Sequence, residues 1–370
     1  MFKSVPFILL LILVCFGQSV KAQIISTPFQ AFNHALKYAN ALEFDGVNDY
    51  VNVTRPVGDD FTIEYWIKTT QVGTSGGMWY HGVGIVDAEV GGGTNDFGTS
   101  LNGSKLSFGI GNPDYTITSN SSINDGTWKH IAVTRTKSTG AVVIYINGAL
   151  DKSGTCNNYG TLTAPGYLRL GGMQTAVNFF DGALDDIRVW NVVRTQAQIV
   201  ANMNQELNGD ESGLVAYFKC NQGLPNASNT SITTLYDETT SYHTALTNFT
   251  LTSTSSNFVY GRLNTNVVTD GLLVYLDPAV KRSFNGSGTT YYDISLNANN
   301  GTLSTTAPVF NTSPKRFTFN GTANNYISLA TSKFNTPYTG KTITIAAKLD
   351  PAFGTGLFRA LFGCIGGSRN

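Results

Sequence analysis

Residues 61–68 read Phe-Thr-Ile-Glu-Tyr-Trp-Ile-Lys, and this stretch indicates an all-β fold. Every second residue in it is apolar: Phe61, Ile63, Tyr65 and Ile67. Successive side chains of a strand point to opposite faces of a sheet, so these four would lie together on one face. The segment is therefore predicted to be a half-buried strand.

Other segments show the same alternation. Residues 131–135 and 142–147 are predicted strands, and Ser138-Thr-Gly140 between them predicts a hairpin. Asn147-Gly148 is a second signal for a tight turn. The Ser, Thr, Asn and Gly content, with many β-branched and aromatic residues, is typical of strands and turns.

A single helix is predicted after residue 195. Thr195 and Gln198 have the spacing of a capping box, in which each side chain satisfies a backbone N–H of the other residue. Apolar residues then recur at helical spacing: Ile199, Val200, Met203 and Leu207.

The composition narrows the classes of protein. Of 370 residues, 24 are Lys or Arg and 24 are Asp or Glu; 13% are charged, where about 25% is usual for a soluble domain. This balance excludes a nucleic-acid binder that works through a basic patch. With 41% hydrophobic residues, and about 150 residues per domain, the chain is expected to hold two or three folded units.

The first 22 residues have the features of a signal peptide. Lys3 supplies positive charge, residues 7–16 are apolar but too few to cross a bilayer, and Val20-Lys-Ala22 resembles a cleavage site. The mature chain is expected to start at Gln23, to be secreted or displayed at the cell surface, and to have no transmembrane segment. A lipoprotein alternative would use Cys15, but the residue before it is not the small one that such processing needs.

Three cysteines remain after removal of this leader: Cys156, Cys220 and Cys364. Their spacing fits neither a zinc site nor a redox pair. A Cys156–Cys220 disulfide is predicted for an oxidising compartment. Two buried free thiols are the open alternative, because an odd number of cysteines cannot all pair within one chain.

An internal similarity divides the chain. The similar pairs of segments are 42–51 with 317–327, 61–68 with 343–348, 213–218 with 271–276, 235–237 with 291–293, and 244–246 with 301–303. The chain is therefore predicted to contain two copies of one β domain.

The domain boundaries follow from these copies. The first domain is predicted at 23–260, with a closing segment at 213–250, and a linker at 261–270 leads to the second copy at 271–370. Nothing after Lys348 matches the later strands of the first copy. The second copy is therefore expected to be incomplete, and the chain to be a fragment of a longer one.

The first copy resembles a known family. The segments that carry the resemblance are Ala41–Gly46 with Asp49–Val51, Phe61–Lys68, Asn124–Val133, Ile144–Gly148, Leu168–Gly172 and Gly182–Trp190. In this order they resemble the LamG-like jelly-roll (laminin G type 3) domain of the concanavalin A-like lectin/glucanase superfamily. The stretch from Ile85 to Asp114 is similar to a bacterial secreted subgroup of such domains. The resemblance implies an antiparallel two-sheet jelly-roll sandwich, but the superfamily contains both binding modules and enzymes.

No catalytic motif is found. The superfamily's glucanases carry Glu-x-Asp-x-x-Glu on one strand, whereas Asp87-Ala-Glu89 lacks the third acid. The chain has four histidines, His34, His81, His130 and His243. Their spacing is not that of metal ligands. His130 matches a strand position of the family and is interpreted as structural. The chain is predicted not to be an enzyme.

Asp45 and Asp185 are a candidate site for structural Ca²⁺. Asp185 alternates with Ile187 and Val189, so it is expected on the apolar face, where a carboxylate must be paired, hydrogen-bonded or bound to a cation. The family resemblance implies that the first and last strands are adjacent, which would place Asp45 beside it. Two carboxylates with backbone carbonyls suit Ca²⁺; capping of turn N–H groups is the alternative.

The loop-rich stretch 73–114 is the predicted ligand site. Sugar recognition needs an aromatic platform together with hydrogen-bonding groups for the hydroxyls. The stretch supplies both kinds of side chain: Trp79, Tyr80, His81, Asp87, Glu89, Asn95, Asp96, Asn112 and Asp114. The structural alternative is that Trp79 belongs to the core and that the Asn and Asp residues build turns.

Three functions are compatible with these features. The first is a secreted, non-catalytic module that binds glycans, extracellular matrix or cell-surface proteins. The second is a targeting module of a larger O-glycosyl hydrolase whose catalytic part lies outside this chain. The third is a structural spacer. No nucleic-acid partner is expected.

Overall fold

The computed structural model describes residues 38–174, 178–263, 273–295, 297–313, 315–320 and 325–329. All of these residues belong to one compact unit, Leu36–Asn335. Several predictions concern residues outside the described ranges: the signal peptide 1–22 with Cys15, His34, Cys364, and the segment 343–348.

Sheet A has eight strands. They are β1 (Tyr38–Asp45), β3 (Phe61–Lys68), β8 (Lys129–Thr136), β9 (Ala141–Ile146), β10 (Ala149–Thr155), β12 (Asp181–Trp190), β13 (Leu214–Phe218) and β16 (Asn257–Leu263). Their order is β10-β9-β8-β3-β12-β1-β16, and β13 pairs with the second half of β12. The strand predicted at 61–68 is therefore confirmed, near the middle of the sheet.

Sheet B also has eight strands. They are β2 (Tyr50–Thr54), β4 (Val83–Asp87), β5 (Phe97–Asn102), β6 (Lys105–Ile110), β7 (Tyr115–Ser122), β11 (Tyr167–Leu170), β14 (Thr234–Leu235) and β15 (Thr244–Thr247). Their order is β14-β15-β2-β11-β4-β5-β6-β7. Both sheets are antiparallel, which confirms the predicted all-β, two-sheet jelly-roll sandwich.

The apolar faces of the two sheets meet in one core. Phe61 and Ile63 of sheet A and Phe97 and Phe108 of sheet B are buried there. The rings of Phe61 and Phe97 have centroids 4.7 Å apart. Each such side chain contributes about 1.5–3 kcal/mol by leaving water, so this core is the main source of stability.

The predicted turns and helix are also present. β8 and β9 form the expected hairpin, and Asn147 and Gly148 take positive φ in the next turn. Thr195 caps helix α1 (Gln196–Asn202) through the predicted capping box. The helix ends at Asn202 rather than continuing to Leu207. Within the described ranges, no helix has the length and apolar character needed to span a membrane.

β3 is buried on both faces, not on one. Its second face lies beneath α1 and the loop after it, and Nε1 of Trp66 donates a hydrogen bond to the carbonyl of Met203 (2.9 Å). Glu64 on this face has no exposed surface. It lies 3.1 Å from the guanidinium of Arg194 and 3.5 Å from Nε2 of His130. Helix α1 is thus fastened to the sheet by buried charges, which alternation in the sequence does not reveal.

The closing segment extends further than predicted. β16 pairs with β1, and Phe258 in it is fully buried in the core. Its last three residues, Gly261–Leu263, fall within the predicted linker 261–270. Those three therefore belong to sheet A; residues 264–270 lie outside the described ranges.

Residues 273–329 form smaller sheets. Their strands are β17 (Thr290–Tyr291), β18 (Gly301–Leu303), β19 (Val309–Thr312), β20 (Lys315–Thr318) and β21 (Ile327–Leu329). β17, β18 and β21 pair in that order, and β19 pairs with β20. Phe284, Tyr291 and Leu303 form a separate apolar cluster. The second, incomplete copy stays a prediction.

Candidate functional site

The candidate site lies on the outer face of sheet B, which is the face turned away from the core. One row of directly opposed residues crosses the sheet there, in the order Asn52, Arg169, Asp87, Gly98, Gly109 and Thr116. Directly opposed residues of an antiparallel pair share a face. Leu168 and Leu170, the neighbours of Arg169 on β11, are buried in the core, so the row itself points outward.

Two glycines form the floor of this site. A Cβ atom on Gly98 would lie 2.0 Å from Oδ2 of Asp87, and one on Gly109 would lie 1.9 Å from Cδ2 of Trp79. Both distances are far inside van der Waals contact. The carboxyl group and the indole can therefore lie against the sheet only because these two positions carry no side chain.

Trp79 is fixed in a short 3₁₀ turn, Trp79–His81. Its N–H donates to Oγ1 of Thr116 (3.1 Å), and its carbonyl accepts from Oγ of Ser100 (2.6 Å). The side chain is buried, but it covers Gly109 on the outer face instead of joining the sandwich core. Trp79 is thus the support of the aromatic surface and not its exposed platform.

Tyr80 and His81 form the accessible part of that surface. The ring of Tyr80 meets Trp79 and His81 edge to face, with centroid distances of 4.9 and 4.6 Å. Its hydroxyl donates to Oδ2 of Asp114 (3.2 Å). Tyr80 is half-buried, whereas His81 and Asp114 are exposed. Burial and the neighbouring Asp114 carboxylate raise the pKa of Tyr80, so its hydroxyl stays a donor at neutral pH.

Asp87 is the most deeply buried acid of the site. Oδ1 accepts from the N–H of Glu89 (2.8 Å), while Oδ2 is buried without a hydrogen-bond partner among the described residues. Burial, followed by the charges of Glu89 and Asp96, raises the pKa of Asp87 well above its ordinary value. A protonated carboxyl is a hydrogen-bond donor as well as an acceptor.

Asp96 organises the loop after β4. Its Oδ2 accepts from the N–H of Val90 (2.8 Å) and from Oγ1 of Thr94 (2.9 Å). Burial raises the pKa of Asp96 despite these hydrogen bonds. Asp96 and Glu89 are both buried, so they shape this edge of the site from below.

Asn95 and Asn112 serve another purpose. Oδ1 of Asn95 accepts from Nδ2 of Asn158 (3.1 Å), and the same Nδ2 donates to the carbonyl of Asn112 (3.0 Å). Asn158, which is buried, therefore ties the two loops together. These contacts correspond to the turn-building alternative, and no local sequence pattern indicates the part played by Asn158.

Arg169 is a site residue that sequence reasoning missed. It lies opposite Asp87, its Nε donates to Oδ1 of Asn52 (3.0 Å), and its guanidinium stacks 4.2 Å from the ring centroid of Tyr50. Alternation between Leu168 and Leu170 predicts that Arg169 faces away from the core. Which strands lie beside it depends on the order of the sheet, which local patterns do not contain.

The predicted calcium pair is not assembled. β1 and β12 are adjacent, but their register places Asp45 opposite Asp181, four residues before Asp185. At 3.3 Å per residue, Asp185 is displaced along the strand by about 13 Å. Asp45 instead accepts a hydrogen bond from the N–H of Val47 (2.9 Å), as in the turn-capping alternative.

Asp185 also lies on the other face from the one predicted. A β-bulge at Asp186, where φ is 51°, interrupts the alternation, so Asp185 lies opposite Trp66 on the outer face of sheet A. Burial and the adjacent Asp186 raise its pKa well above the ordinary value. Among the described residues, no group of three or more His, Cys, Asp or Glu is arranged to hold a metal ion.

The predicted disulfide is absent, because Cys156 and Cys220 are both free and buried. Cys156 follows β10 at one edge of sheet A, whereas Cys220 follows β13 beside β12. Three strands, β9, β8 and β3, separate β10 from β12, and strands lie about 4.8 Å apart. A disulfide needs Cα atoms within about 7 Å. The alternative of two buried thiols is the correct one.

Comparison with known proteins gave one family and one curated relative. Residues 45–200 match the Laminin_G_3 family of the Concanavalin A-like lectin/glucanases superfamily. The relative, from Rattus norvegicus, is the Sushi, von Willebrand factor type A, EGF and pentraxin domain-containing protein 1. It is 35% identical over 91 residues, which are 22% of this chain and 3% of that protein. The chain thus matches only a small part of the relative's length.

Many solved structures are also similar, including the following three. A candidate carbohydrate binding protein from Bacteroides ovatus is 21% identical, with a TM-score of 0.47 over 60% of this chain and 62% of that one. The heptameric SAP-like pentraxin of Limulus polyphemus is 16% identical, with a TM-score of 0.36 over 44% and 81%. The CBM40 of Ruminococcus gnavus IT-sialidase, bound to alpha2,3 sialyllactose, is 16% identical, with a TM-score of 0.36 over 44% of this chain and 95% of that one. The family match at residues 45–200 thus covers most of the two-sheet sandwich.

Proposed function

We propose that this protein is a non-catalytic glycan-binding module and that the outer face of sheet B binds the sugar. The observation that carries the proposal is the step formed by Tyr80 and His81 on Trp79, beside the Asp114 carboxylate. Aromatic faces pack against the C–H groups of a sugar ring, and carboxylates accept hydrogen bonds from its hydroxyls. The superfamily, named for lectins and glucanases, makes this ligand class a natural one.

The burial of the acids favours binding over hydrolysis. Asp87 and Glu89, the nearest approach to a catalytic pair, are 0% and 6% exposed. A glycosidase needs two carboxyl groups that flank the scissile bond. Acids covered to this extent support the step from below, while Tyr80, His81 and Asp114 are the groups that a sugar can reach.

The proposal is tested by binding to a panel of immobilised glycans. Tyr80→Ala removes the accessible ring and Asp114→Ala removes its acceptor, so each is expected to weaken binding at least several-fold. Tyr260→Ala is the matched control, because Tyr260 is an exposed tyrosine on β16 of sheet A. Equal binding by all three variants and the unaltered protein would place the sugar elsewhere. Release of reducing ends from a bound glycan would contradict the non-catalytic role.

The cellular setting is a further part of the proposal. Residues 1–22 support export, so the site would work outside the cell, on a surface glycan or as the targeting part of a larger glycan-active assembly. The expected N-terminus of the exported protein is Gln23. N-terminal sequencing of protein recovered from the medium or the cell surface checks this, and an intact Met1 on exported protein would contradict it.

A further inference from the structure

The charge around Tyr80 points to a ligand class. We infer that the outer face of sheet B selects glycans without carboxylate or sulfate groups and that a protonated amino group on the sugar strengthens binding. This inference rests on the proposed function and concerns the same site. Its physical basis is an excess of acids, Glu89, Asp96 and Asp114, over the one arginine that lies opposite Asp87, Arg169.

The acids come from two loops that converge at the aromatic step. Asp114 accepts the hydrogen bond of the Tyr80 hydroxyl. Glu89 follows Asp87, whose Oδ1 accepts its N–H, and Asp96 holds the same loop through Val90. The unpartnered, fully buried Oδ2 of Asp87 lies in the same group.

Cations are scarce on this face. Residues 69–128 contain five Asp or Glu residues and, besides His81, one Lys or Arg, Lys105. Lys105 lies on β6 four residues from Gly109, so it is about 13 Å away along the strand. Arg169 lies opposite Asp87 and its charge partly offsets that carboxyl, while its guanidinium donates to Asn52 and to the carbonyl of Met173 (3.0 Å).

The expected size of the effect follows from Coulomb's law. A unit charge brought to about 4 Å from one carboxylate changes the affinity about fivefold in water, and more where the acids add together. An anionic sugar at the step would be repelled and an amino sugar attracted. Salt screens both effects, so the difference between the two classes must shrink at high ionic strength.

The test is a printed array of neutral, amino-bearing, carboxylated and sulfated glycans, probed with the full chain at low and at high salt. The bound glycans are expected to be neutral or amino-bearing, with an advantage of about fivefold or more for amino groups at low salt. Asp114→Asn is expected to reduce this advantage several-fold. Asp125→Asn is the control, because Asp125 lies in an exposed turn and pairs with Lys129.

Each outcome decides between the two levels of the proposal. Preferential binding of carboxylated or sulfated glycans, blocked by Tyr80→Ala, would overturn the charge selection and leave the glycan site standing. An amino preference that Asp114→Asn does not change would also overturn it. If no glycan class is retained, the proposed function is wrong and the charge selection is wrong with it.

A second inference concerns residues 273–329 and rests on repeated hydrogen bonds. We propose that these residues begin a second jelly roll. Its first segment, 273–303, would be equivalent to the segment that closes the first jelly roll, 213–250. The two copies would then be circularly permuted relative to each other.

The closing segments share a network centred on one aspartate. Oδ1 of Asp237 accepts from the N–H of Tyr217 (2.7 Å), and Oδ1 of Asp293 accepts from the N–H of Tyr275 (2.8 Å). Three further hydrogen bonds have an equivalent in the other segment. Glu238 N donates to Tyr217 O (2.8 Å) as Ile294 N donates to Tyr275 O (2.9 Å), and Leu246 N donates to Thr233 O (3.0 Å) as Leu303 N donates to Thr289 O (2.8 Å). Thr239 Oγ1 donates to Val215 O (3.0 Å) as Ser295 Oγ donates to Leu273 O (3.3 Å). Residues 273–276 are not in a strand, unlike their counterparts in β13.

The strands that these segments meet are equivalent as well. Leu246 lies opposite Val51 in the first case, and Leu303 lies opposite Ile327 in the second. The internal similarity aligns the same residues. Val51 corresponds to Ile327 in the pair 42–51 with 317–327, and Leu246 corresponds to Leu303 in the pair 244–246 with 301–303. The closing segment of the first copy follows its partner strand in the chain, whereas residues 273–303 precede theirs. The same contacts are therefore made by a segment at the C-terminal end of the first copy and at the N-terminal end of the second.

A segment exchange tests this relationship in the full chain. Residues 233–246 are replaced by a second copy of 289–303, and a control carries the same residues in scrambled order. If the segments are equivalent, the exchange variant keeps hydrogen-exchange protection in β2 and a cooperative unfolding transition, while the scrambled control loses protection there. An exchange variant that behaves like the scrambled control would overturn the permutation.

Discussion

Gly98 and Gly109 face each other across β5 and β6, and each lies beneath one side chain of the candidate site. Asp87 covers the first glycine and Trp79 covers the second. The carboxyl group and the indole are therefore placed side by side on the outer face by two residues that have no side chains of their own. The exposed step of Tyr80 and His81 depends on this arrangement, because Tyr80 packs on Trp79.

Gly109→Ala is expected to disturb the site from below. The new methyl group would overlap the indole of Trp79, so the ring must move, and overpacking of this kind costs about 1–3 kcal/mol. Thermal unfolding and tryptophan fluorescence measure the change, and glycan binding should weaken with it. Gly93→Ala is the control, because nothing lies within 4 Å of a Cβ there. Equal melting temperatures for the two variants would contradict this account of the floor.

Alternation in the sequence predicted the strands well, and it failed where one residue broke the period. β3 and the β8–β9 hairpin follow the two-residue pattern and were found as predicted. In β12 the bulge at Asp186 moves Asp185 to the other face, and no local pattern marks the bulge. The candidate site shows the same limit, since Trp79 and Asp114 belong to one predicted stretch, 73–114, whereas Arg169 joins the site through the order of sheet B.

The two buried thiols give a direct chemical prediction. Cys156 and Cys220 are free, and burial raises the pKa of Cys220 well above its ordinary value, so neither should react in the native state. In concentrated guanidinium without a reductant, iodoacetamide should label both. Mass spectrometry of the digested protein checks this. A linked Cys156–Cys220 peptide from unreduced protein would instead support the disulfide.

Substitutions of the two adjacent aspartates at the β-bulge should differ in their effects on stability. Asp185→Asn removes a buried carboxyl whose pKa is raised by burial and by Asp186, so the melting temperature near neutral pH should rise or stay level. Asp186→Asn should lower it, because Asp186 accepts from the Tyr217 hydroxyl and pairs with Arg262 (3.1 Å). Removing one partner of a buried pair typically costs about 3–5 kcal/mol. The reverse order of melting temperatures would contradict the assignment.

The calcium hypothesis can be tested with the same Asp185 variant. Because Asp45 lies four residues along the strand from Asp185, a shared ion between them is not expected. Melting temperatures in chelator and in millimolar calcium should therefore differ by the same amount in the unaltered protein and in Asp185→Asn. A calcium-dependent increase that only this variant loses would restore Asp185 as a ligand.

Glu43 should make the domain less stable as the pH rises. Burial raises its pKa from 4.5 to about 7, the charge of Asp181 acts in the same direction, and Lys68 opposes them. Between about pH 4.5 and 7 the native state therefore holds a proton that the unfolded chain has lost, so the free energy of unfolding falls through this interval and then levels off. At 1.36 kcal/mol per unit the fall is at most about 3 kcal/mol, and partial exposure of the side chain reduces it. Glu43→Gln removes this contribution, while Asp49, whose pKa is raised to about 6, keeps its own. Urea unfolding of the unaltered protein and of Glu43→Gln across the interval gives the difference between their free energies of unfolding. This difference should grow in favour of the variant up to about pH 7. A difference that does not change with pH would show that Glu43 ionises as readily in the folded protein as in the unfolded chain.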